Sequence, residues 1–347
     1  MRPVLGIETS CDDSSAAVVT EEGLLLSCVL AGQAEVHGPY GGVVPELASR
    51  AHLERLPSVV EGALAEAGTP LSAIGSVAVS SGPGLLGSLL VGLSYAKSLA
   101  WSLGIPVVGV NHIEAHLRSP WMEHPSLPYP ALGLVVSGGH SHLFWCPGPD
   151  GPQLAAATRD DAAGEALDKV AKFLGLPYPG GPVIDRLSPR GNPRAFDLPL
   201  PRMSGGNGLD FSFSGLKTAA LHRIREGGLV PAPAEDLDAL PAWEYDLMAS
   251  FQKRVVDHLL GRLKKAALRY RPASLVLAGG VACNRLLRER FKRLAEDLGL
   301  AAGLPSPRLC TDNAAMVAFR ALDLLRKGPP AGYGLDATAV ARWPGAR

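Results

Sequence analysis

Val4-Leu5-Gly6-Ile7-Glu8, then Thr9-Ser10-Cys11-Asp12-Asp13-Ser14-Ser15, then Ala16-Ala17-Val18-Val19: this stretch decides the fold. Two apolar runs around a small polar turn predict a hairpin, with Leu24 to Val29 as a third strand. A turn this rich in Ser and Thr can wrap phosphate oxygens with backbone N–H and hydroxyl donors, although an ordinary polar hairpin looks the same. The pattern returns as Leu132-Gly133-Leu134-Val135-Val136, the turn Ser137-Gly138-Gly139-His140-Ser141, and the strand His142-Leu143-Phe144-Trp145. A hairpin unit used twice predicts two similar α/β domains facing each other across a cleft, each offering one phosphate-binding turn.

Between the two copies lie the other elements of the first domain. Gly41-Gly42-Val43-Val44-Pro45-Glu46 leads into a helix whose apolar stripe is Ala51, Leu53, Leu56 and Val59-Val60. Arg50 and His52 on that helix read as surface groups. Ser76 to Ser80 is a strand, Gly82-Pro83-Gly84-Leu85-Leu86-Gly87 follows, and a helix runs to about Leu103. The glycine spacing matches a dinucleotide fingerprint, but that site needs an acid at the end of the next strand. The next strand, Val107-Val108-Gly109-Val110, ends on Asn111-His112, and Pro83 removes an N–H from the cradle. The glycines therefore read as close-approach residues of another kind of site.

Asn111-His112-Ile113-Glu114-Ala115-His116 carries the strongest chemical signal. Histidines four apart share one face of a helix and can converge on one ion. Two surface or capping histidines would have the same spacing. In the zinc-peptidase pattern a Glu follows the first His directly; here that position is Ile113, which argues against that protease.

A Pro-rich linker (Pro120, Pro125, Pro128, Pro130) precedes the second hairpin. Beyond it a helix is expected over about Ala163 to Leu174, with Asp161, Glu165, Asp168 and Lys172 opposite its apolar stripe. Tyr178 to Asp185 reads as a Gly/Pro bend where backbone could approach a ligand closely. Residues 186–202 are irregular and basic (Arg186, Arg190, Arg194, Arg202), Asp210 to Thr218 alternates like a strand before a helix, and 228–241 is a loop. A long helix is expected from about Tyr245 to Tyr270, then the strand Ser274 to Ala278, the turn Gly279-Gly280, and a helix opened by Asn284. Gly-Gly between strand and helix suits a flat ring lying on backbone, such as an adenine, with Asn284 capping the helix or reaching a sugar. Thr311 or Asp312 would cap the last helix, and Asp312 could equally offer a carboxylate to the histidine pair.

With 347 residues, 47% of them hydrophobic, two domains of ordinary size are expected. Thirty-three Lys plus Arg balance thirty-three Asp plus Glu, so no global field selects nucleic acid or membrane. Five scattered cysteines without a CxxC fit free thiols in a reducing cytosol. No secretory pattern opens the chain and no apolar run spans a membrane, so a cytoplasmic protein is expected.

Together these blocks resemble the TsaD family of tRNA N6-adenosine threonylcarbamoyltransferases. The residues that carry the resemblance are Gly6 to Asp13, Gly41 to Glu46, Pro83 to Leu89, Asn111 to His116, Val136 to His140, Asp160 to Asp168, Tyr178 to Gly181, Phe211 to Lys217, Gly279 to Asn284 and Cys310 to Asn313. The related TsaB family lacks the His pair. The resemblance implies the actin, hexokinase and heat-shock ATPase fold: two duplicated ribonuclease-H-like domains around a central cleft. The expected first domain is 1–128, completed by about 313–347, and the second is 129–312. By the same resemblance the metal ligands are His112, His116 and Asp312, for one divalent ion, iron first with zinc or magnesium as alternatives. Substrate contacts fall to Val136, Ser137, Gly138, Gly139, His140, Asp168, Gly181, Asp185 and Asn284. The implied donor is threonylcarbamoyl-AMP, the acceptor tRNA, and the partners TsaB and TsaE. Glu8, Asp12 and Glu114 are the candidate general bases, with loop 186–202 and helix 253–269 as candidate RNA surfaces. A small-molecule kinase of the same fold, a metallopeptidase, or a non-catalytic nucleotide-binding scaffold would be the rival readings.

Overall fold

The computed structural model describes residues 2–200, 208–231, 236–328 and 332–340. Arg202 of the expected basic loop lies outside these residues, as do 232–235 of the expected loop and 329–331 and 341–347 of the C-terminal segment. The chain divides into two compact units, residues 1–126 with 305–347, and residues 127–304. Pro305 to Asp312, assigned to the second domain from sequence, belongs to the first unit, so Asp312 shares a unit with His112 and His116.

The first unit is built on β1 (Val4–Glu8), β2 (Asp13–Val19), β3 (Leu25–Gly32), β4 (Ser76–Gly82) and β5 (Val107–Asn111), ordered β3-β2-β1-β4-β5. β1 pairs antiparallel with β2 and parallel with β4. Every residue of β1 is buried because both faces of the sheet are covered. Leu5 and Ile7 face the core made with α1 (Pro45–Glu66) and α2 (Leu86–Leu103), through Leu56, Val59, Leu93 and Ala96. Val4 joins Val108, Met316 and Ala318 on the other face, where the closing helix Ala314–Lys327 packs. Gly6 lets that helix close in: a Cβ there would stand 2.3 Å from the Ala314 carbonyl. The remaining helix that matters for function, α3 (His112–Arg118), starts directly at the end of β5.

The second unit repeats the plan. Its strands are β6 (Ala131–Val136), β7 (Ser141–Cys146), β8 (Gln153–Ala157), β9 (Ser274–Ala278) and β10 (Ala301–Gly303), ordered β10-β9-β6-β7-β8. Read from the β8 edge this is the order of the first unit, with an antiparallel hairpin and a parallel neighbour on β6. Its helices are α4 (Ala163–Phe173), α5 (Gly180–Leu187), α6 (Ser214–Glu226), α7 (Ala242–Tyr270) and α8 (Arg285–Asp297). Three readings change. The expected bend at 178–185 is mostly α5; the stretch before α6 makes a single bridge, Phe211 to Thr158; and β8 and β10 were unread.

Candidate metal centre and nucleotide site

Asn111 ends β5 and caps α3, its side chain accepting from the Ile113 and Glu114 N–H groups. The cap fixes the first turn of α3, and with it His112 and His116. Both rings are buried, edge-to-face, with centroids 4.6 Å apart. His116 Nε2 lies 3.0 Å and His112 Nε2 3.6 Å from the same Asp312 oxygen. Asp312 sits just before the closing helix, whose N-cap is Asn313, accepting from Met316 N–H; Thr311 and Asp312 do not cap it. The three side chains each offer one donor atom, all within 4.8 Å of one another.

Glu8 holds this group from behind. Its carboxylate, wholly buried at the end of β1, accepts from His112 Nδ1 at 2.9 Å, from the Ser10 N–H, and from the Ser80 hydroxyl. Burial works against a charged His112, but Glu8 and Asp312 outweigh it and push the ring up to about 9. Burial keeps His116 below its usual range. Burial also pushes Asp13 up to about 7, helped by the negative charges of Asp312, Asp12 and Glu8, and raises Asp12. Carboxylates crowded this way favour a cation among them. The donor set fits a divalent transition ion: two imidazoles and a carboxylate, with a further carboxylate orienting one ring. His116 Nδ1 is buried without a partner among the described residues, so the hydrogen bonds present leave the cluster unsatisfied. The ring-orienting role of Glu8 went unread because sequence spacing could not show which ring it would meet.

The candidate bases separate. Glu114 is bound by Arg320 at 2.7 Å and 3.2 Å, on the side of α3 away from the imidazoles' shared carboxylate. Arg320 also meets Asp323, which Arg118 clasps at 2.7 Å, so α3 is pinned to the closing helix. Glu8 is spent on His112. Asp12, half-buried like Glu114, has no such arginine partner among the described residues. Burial, and then Asp12, push the Cys11 thiol well above its ordinary range, which opposes a thiolate role. His52, expected at the surface, is buried: Nδ1 meets the Ser14 hydroxyl at 2.7 Å and Nε2 the Cys11 carbonyl at 3.0 Å. Arg50 is exposed and paired with Glu46. The Gly82-Pro83-Gly84 turn packs on the first hairpin turn, since a Cβ on Gly84 would stand 2.4 Å from the Ser10 carbonyl and Leu85 N–H donates to that same oxygen.

In the second unit, the expected substrate residues gather at the carboxyl ends of β6 and β9, where α/β sheets bind ligands. Val136 ends β6, and Ser137 N–H donates to the His140 carbonyl, closing a turn whose Gly138 and Gly139 are exposed. Glu165 N–H at the start of α4 donates to the Gly138 carbonyl. Asp168, one turn on, accepts from Gly181 N–H at 2.9 Å and so joins α4 to α5. Asp185 on α5 accepts the Arg285 backbone N–H and Nε at 3.1 and 3.0 Å. Asn284 caps α8 and donates to Gln252 at 3.0 Å. Gly279, with φ +92°, completes the ring of contacts: a Cβ there would stand 2.4 Å from the Val136 carbonyl. Beside Asp185 opens a cavity of about 610 Å³, lined by Gln252, Lys253, Arg285 and Arg290 among others, a size that suits a small ligand.

No described helix is long and apolar enough to cross a membrane. The two sheets define an α/β protein of the duplicated ribonuclease-H class. HypF from T. kodakarensis shares the fold at TM-score 0.63 and 13% identity, over 94% of this chain and 48% of that one. Component A of (R)-2-hydroxyglutaryl-CoA dehydratase from Acidaminococcus fermentans does so at TM-score 0.54 and 12% identity, over 94% of this chain and all of that one. A family model described as TsaD, tRNA N6-adenosine threonylcarbamoyltransferase, matches residues 24–319. Proteins of that name from Pelobacter propionicus and Geobacter sulfurreducens are 49% and 48% identical, over 97% and 98% of this chain and 96% of each relative. The chain belongs to the TsaD family and is a transferase of tRNA modification.

Proposed function

We propose that the protein transfers the threonylcarbamoyl group of threonylcarbamoyl-AMP to N6 of the adenosine 3′ of the anticodon in ANN-decoding tRNAs, releasing AMP. The observation that carries this reading is the His112, His116 and Asp312 cluster with Glu8 behind it, in a chain of this family. The adenylate belongs to the second unit. Gly279-Gly280 offers flat backbone to the adenine, Asp185, Asp168 and Asn284 offer polar groups to the ribose, and the Ser137 to His140 turn offers N–H groups to anionic oxygens. His112, His116 and Asp312 would hold one divalent ion, Fe(2+) in our reading, with Zn or Mg as alternatives. When bound, the ion supplies Lewis acidity toward a carbonyl or phosphoryl oxygen.

The amine nitrogen attacks the carbamoyl carbon, the bond from that carbon to the phosphate oxygen breaks, and AMP leaves with the electron pair. The amine proton is lost late, and Asp12, raised and partly exposed, is the carboxylate left to receive it. No covalent enzyme intermediate is needed, in keeping with the raised Cys11 thiol. TsaB and TsaE are the proposed partners, and the cytoplasm, where tRNA is modified, is the proposed site of action.

The test replaces His112 by Ala and follows transfer from purified adenylate to unmodified tRNA, together with metal content. Loss of metal and transfer, with AMP binding retained, is expected. Unchanged turnover after loss of metal would overturn the role given to the cluster.

A further inference from the structure

The chain has zero formal charge, yet residues 253–293 hold twelve Lys and Arg against two acids, Asp257 and Glu289. The fold gathers these charges instead of dispersing them. Gln252 meets Asn284, and five residues along α7 Asp257 accepts from Arg290 at 2.6 Å. The two helices therefore run side by side in the same direction, and β9 between them carries no charge. Asp257 is shared by Lys253 and Arg290, so one carboxylate holds two cations close together. Further along, Lys264, Arg269 and Lys292 are exposed and make no ion pair among the described residues.

We propose that α7 and α8 form a two-helix basic track that docks the phosphate backbone of the tRNA, deepening the proposed function and resting on it. Between Lys253 and Arg269 α7 advances about 24 Å at ~1.5 Å per residue, and its exposed side carries Lys264, Lys265 and Arg269. The track begins at the 610 Å³ cavity, whose lining includes Lys253, Arg285 and Arg290. An RNA lying along it therefore starts beside Asp185, one of the residues proposed for the ribose. Such contacts position the acceptor without reading its bases. Of the expected loop 186–202, Arg190 is taken up by Asp238 and by the Tyr245 ring.

The test is a full-length triple variant, Lys264→Glu, Arg269→Glu and Lys292→Glu, beside a control with reversals in the first unit, Arg2→Glu, Arg50→Glu and Arg326→Glu. Fluorescence anisotropy with unmodified tRNA over a range of KCl gives Kd and its salt slope, and transfer assays give kcat and KM. The track variant should raise Kd and KM for tRNA at least ~10-fold. Its salt slope should fall by about 2, since each phosphate lost is worth roughly 0.7. AMP binding, and kcat at saturating tRNA, should stay within about twofold; the control should keep its tRNA affinity within about threefold. Unchanged affinity and slope, equal losses in variant and control, or parallel loss of AMP binding would each overturn the track. So would loss of binding to phosphatidylserine vesicles with tRNA binding intact, which would make the surface a lipid one. A wild type that modifies no tRNA would instead sink the proposed function itself.

Discussion

Replacing Glu114 by Gln separates two tasks open to a carboxylate beside the histidines. Glu114 Oε2 accepts from Arg320 Nη2 at 2.7 Å and Nε at 3.2 Å, and the arginine side chain is only 4% exposed. Gln fills the same space and keeps an acceptor oxygen, but the charge on one side of both bonds is gone. The bonds that remain still come from a charged guanidinium, so only the carboxylate's share of their strength is lost, about 1–2 kcal/mol of stability. Asp323, 3.2 Å from Arg320 Nη1, continues to neutralise the guanidinium and keeps the loss in that range. In a thermal melt this is a fall of a few degrees, about 2–4 °C per kcal/mol for a unit of this size. Transfer should slow less than about fivefold, because the carboxylate is turned away from the imidazole nitrogens that share Asp312. A general base removed this way would cost about 10²–10⁴ in rate with little change in stability. Transfer kinetics and melts on the same preparation decide between them. A hundredfold slower reaction at an unchanged melting midpoint would refute the structural role assigned to Glu114.

Two other outcomes follow from the same geometry. Glu8→Gln should weaken binding of Zn²⁺ or Fe²⁺ by about 10–100-fold, the usual cost of losing a ligand's outer carboxylate, as read by equilibrium dialysis and metal analysis; undiminished affinity would remove Glu8 from that task. Burial, and then Arg262, hold His258 down at about 4, while its Nε2 accepts the Ser212 N–H. Its protonation therefore favours the unfolded chain, so its stabilisation is complete above about 6.5 and is lost as pH falls toward 4, by about 3 kcal/mol at most. His258→Gln should flatten the acid limb of a urea-midpoint profile between pH 4 and 7, and identical limbs would disprove this.

Much of the fold was legible because its signals are local. The runs at 4–8 and 131–136 are buried along their whole length, so a largely apolar stretch ended by a small polar turn marked both hairpins. α5 was hidden because Gly180-Gly181-Pro182 opens it, a sequence of turn residues that here begins a helix of eight. β10 is three residues long, too short for alternation to register. His52 looked exposed because its partners, Ser14 and the Cys11 carbonyl, belong to a different strand and turn. The histidine pair could be read from its spacing alone. The partners that fix it could not, since Glu8 lies 104 residues before His112, and Arg320 lies 206 residues after Glu114.

Asp312 reaches His116 across 196 positions of sequence, with the whole second unit in between. On a ribosome adding about 5–20 residues per second, the two histidines emerge some ten to forty seconds before the carboxylate they share. During that interval the first sheet lacks its closing helix, and the groove over Gly6 stands open to water or to a chaperone. A truncation that ends before residue 305 would leave both sheets whole but the first without its closing helix and without Asp312, so the three-residue cluster is completed only after the second unit has been made.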